Sequence, residues 1–201
     1  MVEQSELEIG VNMIETYTGR FVDPFDLRPE DVDIRDIAYV LSGEWRFGGH
    51  CHPRYSDAQH CLNVAELLDL WYMPKDIRLQ GLLHDASEAY LRDIPSPVKQ
   101  GEQLSGYREL EKKILGIIAN AFGVFFPFNR DVKQADGILA WVEGSMLMHS
   151  NCTTWIAYKE KGEGIIDRYG HLFRDLLRYP MGPNMVERAF LDKFEELRKE
   201  G

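Results

Sequence analysis

The residues able to do chemistry crowd into "GLLHDASEAYLRDIP" at 81–95, which carries His84, Asp85 and Glu88, with Asp93 just before a proline. On a single helix Glu88 stands at i+4 from His84 and i+3 from Asp85, so the three cluster within one turn. Gly81, one turn earlier, leaves room for another backbone or a ligand. A solvated helix face would carry the same residues. The pattern H-D-x-x-E is not the H-E-x-x-H zinc motif, so that mechanism does not transfer. Two further residues change the picture. Asp136 lies between Ala135 and Leu139 on the inward stripe of its own segment. An ionised carboxylate there is costly unless it is paired or metal-bound, and a salt bridge or helix cap is the alternative. His60 precedes the apolar run "CLNVAELL", where a hydrogen-bonded core histidine is the alternative to a ligand. Together His60, His84, Asp85 and Asp136 form a two-His, two-Asp set that suits Zn, Mn, Fe or Co. With four protein ligands, coordination must expand to admit water or phosphate.

Helices must position these residues. "MIETYTGRFV" (13–22) alternates weakly around a glycine and reads as a short hairpin. Asp31 is placed to cap a helix with Ile34, Ile37, Ala38 and Leu41 on one face. "GEWRFGGHCHPRYS" (43–56) is a loop. From Ser56 or Asp57 a helix runs to about Met73, with Cys61, Val64, Ala65, Leu68 and Trp71 or Tyr72 inward, and Pro74 stops it. Asp76 opens the next, with Leu79, Leu82, Leu83, Ala86 and Tyr90 as its buried stripe. "DIPSPVKQGEQLSG" reads as a loop held extended by two prolines. "YRELEKKILGIIANAFG" is helical, with Leu110, Ile114, Ile117, Ile118 and Ala121 inward and Gly123 as a stop. "RDVKQADGILAWVEGSMLM" is helical, with Val132, Ala135, Leu139, Val142 and Met146 inward, and "IIDRYGHLFRDLLRY" and "NMVERAFLDKFEELRKE" form two final helices. The fold class is all-α with one small hairpin. The 201 residues suit one domain, its core over about 30–150 and its C-terminal helices over 165–200.

Composition narrows the function classes. Hydrophobic residues make up 44% and charged residues 28%, an ordinary globular balance. No run of 18 apolar residues exists, so no membrane partner is expected. "MVEQSELEIG" lacks the basic and apolar regions of a secretory signal, which implies a cytoplasmic chain (the host cytoplasm if phage-encoded). The "NCT" acceptor at 151–153 then carries no meaning. Cys51, Cys61 and Cys152 form no C-x-x-C pair and are odd in number, so neither a zinc ribbon nor a disulfide framework is expected. Net charge is −10, which argues against a nucleic-acid-binding face. A small phosphorylated ligand remains open, because a metal and one or two cations override the global sign at short range.

The order His60 … His84-Asp85 … Asp136 resembles the signature of the HD-domain metal-dependent phosphohydrolases, over roughly residues 34–145. "HDASEAYLRDIPSPVK" is similar, nearly residue for residue, to the corresponding segment of the bacterial 5′-deoxynucleotidases, and "VKQAD" is similar as well. "TYTGRFVDP…DIRDIAYVLS…RFGGH…YSDAQH" resembles the phage-type members, including those that hydrolyse dATP to deoxyadenosine and triphosphate. The resemblance implies an HD-type helical bundle that assembles as a homo-oligomer and hydrolyses the 5′ phosphate ester of a small nucleotide. It implies that His60, His84, Asp85 and Asp136 bind a divalent metal (Co, Zn, Mn or Fe), joined by an additional Mg or Mn with a triphosphate substrate. Glu88 would activate water or protonate the leaving oxygen, and Asp93 would assist. Arg46 and Lys99 would meet phosphate oxygens. The phage-like N-terminal half favours dATP and triphosphate release. The alternatives are a 5′-deoxynucleotidase acting on monophosphates, a non-catalytic nucleotide- or metal-binding module, and a structural helical protein.

Two departures stand out. Phe47 replaces the tryptophan that follows the phosphate-binding arginine, at a position implied to judge the sugar. Its other reading is a core aromatic. In "YSDAQHC", against the usual "YSVAQHS", Asp57 replaces an apolar residue and reads as a helix cap. In "GGHCHP" the consecutive His50, Cys51 and His52 suggest a second metal site, but neighbouring loop residues rarely converge on one ion. His50 resembles a pocket-lining residue of the phage-type members. His149 and His171 read as surface residues, and no P-loop or dinucleotide fingerprint is present.

Overall fold

The computed structural model describes residues 12–149, 158–178 and 180–199, with side chains except at 172–178. The 151–153 acceptor, Cys152 and the first eleven residues lie outside that range. The architecture is an all-α bundle with one short hairpin, β1 (Ile14–Glu15) antiparallel to β2 (Phe21–Val22). Gly19 makes the turn at φ +80°, a conformation glycine adopts without strain. The Thr18 amide and hydroxyl then donate to Asp36, clamping the hairpin to the first helix.

That helix, α1 (Ile34–Gly43), is capped by Asp33, which accepts from the Arg35 amide, not by Asp31. Asp31 instead ends a separate 3₁₀ turn at Pro29–Asp31. Next comes α2 (Asp57–Leu70), capped by Ser56. It ends three residues before the expected Met73 and leaves Tyr72 exposed. It is buried on two faces, with Ala58, Cys61 and Ala65 in one cluster and Val64, Leu67 and Leu68 in another. It lies inside the core, and polar Asp57, Gln59, His60 and Asn63 are buried along with its apolar residues. The first cluster is completed by α1, by α3 (Lys75–Leu83), by α6 (Ser105–Ala121) and by Val186, Phe190, Phe194 and Leu197 of α9 (Pro183–Lys199). The second is built with α7 (Arg130–Leu147) and Ile165 of α8 (Lys159–Arg178). A Cβ on Gly81 would stand 2.5 Å from Leu68 Cδ1 and 3.5 Å from Ala65 Cα, so that glycine admits the α2 backbone.

Three further expectations change. The segment 76–91 is not one helix. α3 stops at Leu83, and α4 (Glu88–Leu91) follows a tight turn. The prolines of 94–97 do not hold an extended loop. Residues Ser96–Lys99 form a helical turn, α5, because proline is tolerated in a first turn. Met146 faces solvent while Leu147 is buried, because the loop at 51–52 packs on the Leu147 side and His52 donates to its carbonyl. Gly123 ends α6 as expected, at φ +68°, with Val124 N–H bonded back to Ala119. Cys51 and Cys61 are free and buried. Among the described residues no helix is long and apolar enough to cross a membrane.

Candidate metal centre and cavity

Three elements meet at the site. α2 brings His60, the turn after α3 brings His84 and Asp85, and α7 brings Asp136. In that turn Ala86 N–H bonds to Leu83, and Glu88 N–H to Asp85, both in the i→i+3 pattern of a 3₁₀ segment. Residues three apart lie on one side of such a segment, which puts Glu88 on the side of Asp85.

The ring tautomers are set from behind. His84 Nδ1–H donates to the Gly81 carbonyl at 2.8 Å. His60 Nδ1–H donates to Glu143 at 2.8 Å. Each neutral ring therefore presents an Nε2 lone pair to the centre. His60 Nε2 faces Asp136 Oδ1 at 3.1 Å and Asp85 Oδ2 at 4.0 Å. His84 Nε2 lies 3.1 Å from Asp85 Oδ2 and 3.7 Å from Asp136 Oδ1, is buried, and has no hydrogen-bond partner among the described residues. Ligand atoms of His60, His84 and Asp85 all fall within 4.8 Å of one another. Lone pairs facing carboxylates require a cation between them, either a proton or a metal. Burial opposes charge on every one of these groups, yet mutual attraction wins. Asp85 is held down to about 2 by His84, and Asp136 well below the ordinary range by His60 and His84. His84 is pushed well above its usual value by Asp85, and His60 upward by Glu143 and Asp136 against both burial and Arg46. The residues fit a divalent ion: two carboxylates and two imidazole nitrogens, of which His84 Nε2 is buried without a hydrogen-bond partner among the described residues.

Asp85 and Asp136 open onto a cavity of about 510 Å³. Arg46, Phe47, Glu88, Asp93 and Lys99 line it too, so every expected site residue except His50 borders the centre or the cavity. His50 stands exposed outside the lining, because Gly48 and Gly49, both at positive φ, turn the chain outward before it. His149 and His171 are exposed, as expected.

Glu88 is buried, and its Oε2 has no partner among the described residues. Burial first, and then the carboxylates of Asp85, Asp57 and Asp93, push it well above the usual glutamate value. Lys99 Nζ bridges Glu88 at 3.3 Å and Glu111 at 2.6 Å. Asp93 is raised by burial, against Arg46.

Asp57 is no cap. It is fully buried, and its Oδ1 accepts from Arg46 Nη1 at 3.4 Å. The same guanidinium donates Nε–H to Glu143 Oε2 at 3.0 Å and lies 3.6 Å from Asp85. Three carboxylates therefore hold the arginine expected to meet phosphate.

Several participants were not anticipated. Glu143 is fully buried and contacts His60, Arg46 and Tyr55. Its only sequence signal is an acidic residue in the apolar run "LAWVEGSML", two turns beyond Asp136. Lys133, Gly137, Ala140, Met148 and Tyr158 also line the cavity. Gly137 makes room for the Tyr158 ring, which a Cβ there would overlap. Spacing along α7 places Lys133 one turn before Asp136, but Tyr158 comes from a distant segment.

No family model matches the chain. It is similar to the uncharacterized protein YfdR of Escherichia coli (strain K12), 30% identical over 187 residues, or 93% of this chain and 96% of that protein. It is also similar to the uncharacterized protein RCAP_rcc00048 of Rhodobacter capsulatus, 33% identical over 144 residues, or 65% of this chain and 70% of that protein.

Proposed function

The chain belongs to the family of the Escherichia coli protein YfdR, and we propose that it is a metal-dependent hydrolase of the 5′ phosphate ester of deoxynucleotides, of the HD-domain type. One observation carries the reading. His60, His84 and Asp85 bring ligand atoms within 4.8 Å of one another, and Asp136 Oδ1 lies 3.1 and 3.7 Å from the two imidazole Nε2 atoms, beside a nucleotide-sized cavity that buried Glu88 also lines. A divalent ion (Co, Zn, Mn or Fe) held by His60, His84, Asp85 and Asp136 would supply Lewis acidity and an acidified water. The chain's own residues do the rest. Glu88, whose burial beside Asp85, Asp57 and Asp93 favours its protonated form, delivers a proton to the leaving 5′ oxygen. Lys99 holds one Glu88 oxygen, and the other is buried without a partner among the described residues. Arg46 offsets charge on the phosphoryl group. Asp93 assists at the cavity wall, and Phe47 and Tyr158 border the nucleoside end.

The favoured substrate is dATP, cleaved to deoxyadenosine and triphosphate, with an additional Mg or Mn on the triphosphate. A second reading, release of phosphate from a deoxynucleoside monophosphate, draws on the charge arrangement. Arg46 and Lys99 are engaged by carboxylates, which leaves few cations for outer phosphates. Incubating the metal-loaded protein with each dNMP and dNTP separates the two. Triphosphate from dATP supports the first, and phosphate from dAMP alone the second. Binding of nucleotide without turnover in Mn, Co and Zn would leave a regulatory module. The same reading includes a cytoplasmic homo-oligomer, checked by light scattering of the purified protein.

A further inference from the structure

Glu143 is fully buried on α7, and three groups act on its two oxygens. Oε1 accepts from His60 Nδ1–H and from the Tyr55 hydroxyl, each at 2.8 Å. Tyr55 is itself steadied by Asn63 Nδ2–H at 2.7 Å. Oε2 accepts from Arg46 Nε–H at 3.0 Å. Burial alone would raise a carboxyl here, but His60 and Arg46 hold it below the usual glutamate value. We propose that Glu143 is a positioning residue that ties the metal centre to the arginine of the cavity. One oxygen sets the His60 tautomer and ring angle, and the other aims the Arg46 guanidinium past Asp57 and Asp85. The proposal rests on the metal-centre reading above.

The chemistry makes a carboxylate necessary. A glutamine offers one acceptor oxygen and one NH2 group. If its oxygen keeps the His60 and Tyr55 bonds, its NH2 confronts Arg46 Nε–H, donor against donor. If it flips, His60 must accept at Nδ1, carry its proton on Nε2, and cease to be a ligand. A carboxylate behind a metal-binding imidazole typically accounts for about 10–100-fold in metal affinity.

The test titrates Co(II) into the metal-free full chain and follows visible absorption, for the natural protein, Glu143→Gln, Glu143→Asp and Tyr55→Phe. Circular dichroism and thermal unfolding establish that each is folded. Glu143→Gln is expected to bind Co(II) about 10–100-fold more weakly. Glu143→Asp, which keeps the charge but not the reach, is expected to bind with intermediate affinity. Tyr55→Phe, which spares both the His60 and Arg46 bonds, should lose less than Glu143→Gln. At saturating metal, Glu143→Gln should still show a raised KM, because Arg46 is no longer aimed. A natural protein that binds no Co(II) sinks the metal-centre reading itself. A natural protein that binds Co(II), beside folded Glu143 variants of equal affinity, overturns the role of Glu143 alone. Full recovery of KM at saturating metal overturns the link to Arg46.

Discussion

Arg46 and Asp57 form an ion pair inside the protein, 3.4 Å apart, with Asp57 at 0% and Arg46 at 14% side-chain exposure. A second Asp57 oxygen is buried without a hydrogen-bond partner among the described residues. Burial pushes the group up to about 7, against the pull of Arg46. An aspartate raised in the folded state binds its proton more tightly there than in the unfolded chain. It therefore costs no stability below about pH 4, and an increasing amount as pH rises toward 7.

Asp57→Asn should flatten that dependence. Relative to the natural protein, the variant is expected to gain on the order of a few kcal/mol between pH 4 and pH 8. Urea unfolding at both pH values measures the difference. A difference between the two proteins that does not change with pH would mean that Asp57 ionises normally.

Glu88→Gln should separate catalysis from stability. Loss of the proton-transfer group is expected to lower kcat by about 10²–10⁴. Metal content should be unchanged, because Glu88 is not among the proposed ligands. Stability near pH 8 should hold or rise, since a buried carboxylate with an unpaired oxygen becomes a neutral amide. Initial rates, elemental analysis and a thermal melt on one preparation decide it.

Metal removal should destabilise the fold, because an ion would replace protons between lone pairs and carboxylates that already face one another. At metal concentrations 100 times Kd, binding contributes about 2.7 kcal/mol. Melting the protein with Mn(II) and with EDTA should reveal that gap as a shift in Tm. Asp136→Ala should abolish the shift. Equal melting with and without metal in the natural protein would count against the centre.

Gly81→Ala should destabilise despite alanine's better helix propensity. The new Cβ would meet Leu68 Cδ1 at 2.5 Å and Val64 Cγ1 at 3.3 Å, where α3 lies on α2. Overpacking of this kind costs about 1–3 kcal/mol. Leu68→Ala in the same chain should recover part of the loss, which a double-mutant cycle in urea would show as a favourable coupling.

Much of the fold is legible along the chain because helix periodicity is local. Ile37, Ala38 and Leu41 of α1, Cys61, Val64, Ala65 and Leu68 of α2, Leu79, Leu82 and Leu83 of α3, and Ile114 and Ile118 of α6 are buried as their stripes predict, while α2 buries polar residues as well and Leu110, Ile117 and Ala121 of α6 are only half-buried. Where the structure departs from these expectations, a specific contact outweighs the local rule. Asp31 yields the cap to Asp33 because Arg28, three residues back, holds its carboxylate. Met146 yields its inward place to Leu147 because a loop from residue 52 covers that side. Asp57 leaves its cap role to Ser56 because Arg46 draws its carboxylate inward.

The sequence by itself singled out the candidate donors. His60, His84, Asp85 and Asp136 are conspicuous because polar groups on apolar stripes are costly, and Glu88 follows at one turn's distance. Tertiary structure alone decided how they act. The turn after Leu83 brings Glu88 to the cavity one i→i+3 step from Asp85, Gly81 and Glu143 set the two imidazole tautomers, and Tyr158 packs over Gly137 at the cavity wall. The physical reason is one of range. Periodicity and burial are properties of neighbours in the chain, whereas a proton's place on a ring is set by whichever acceptor packs behind it.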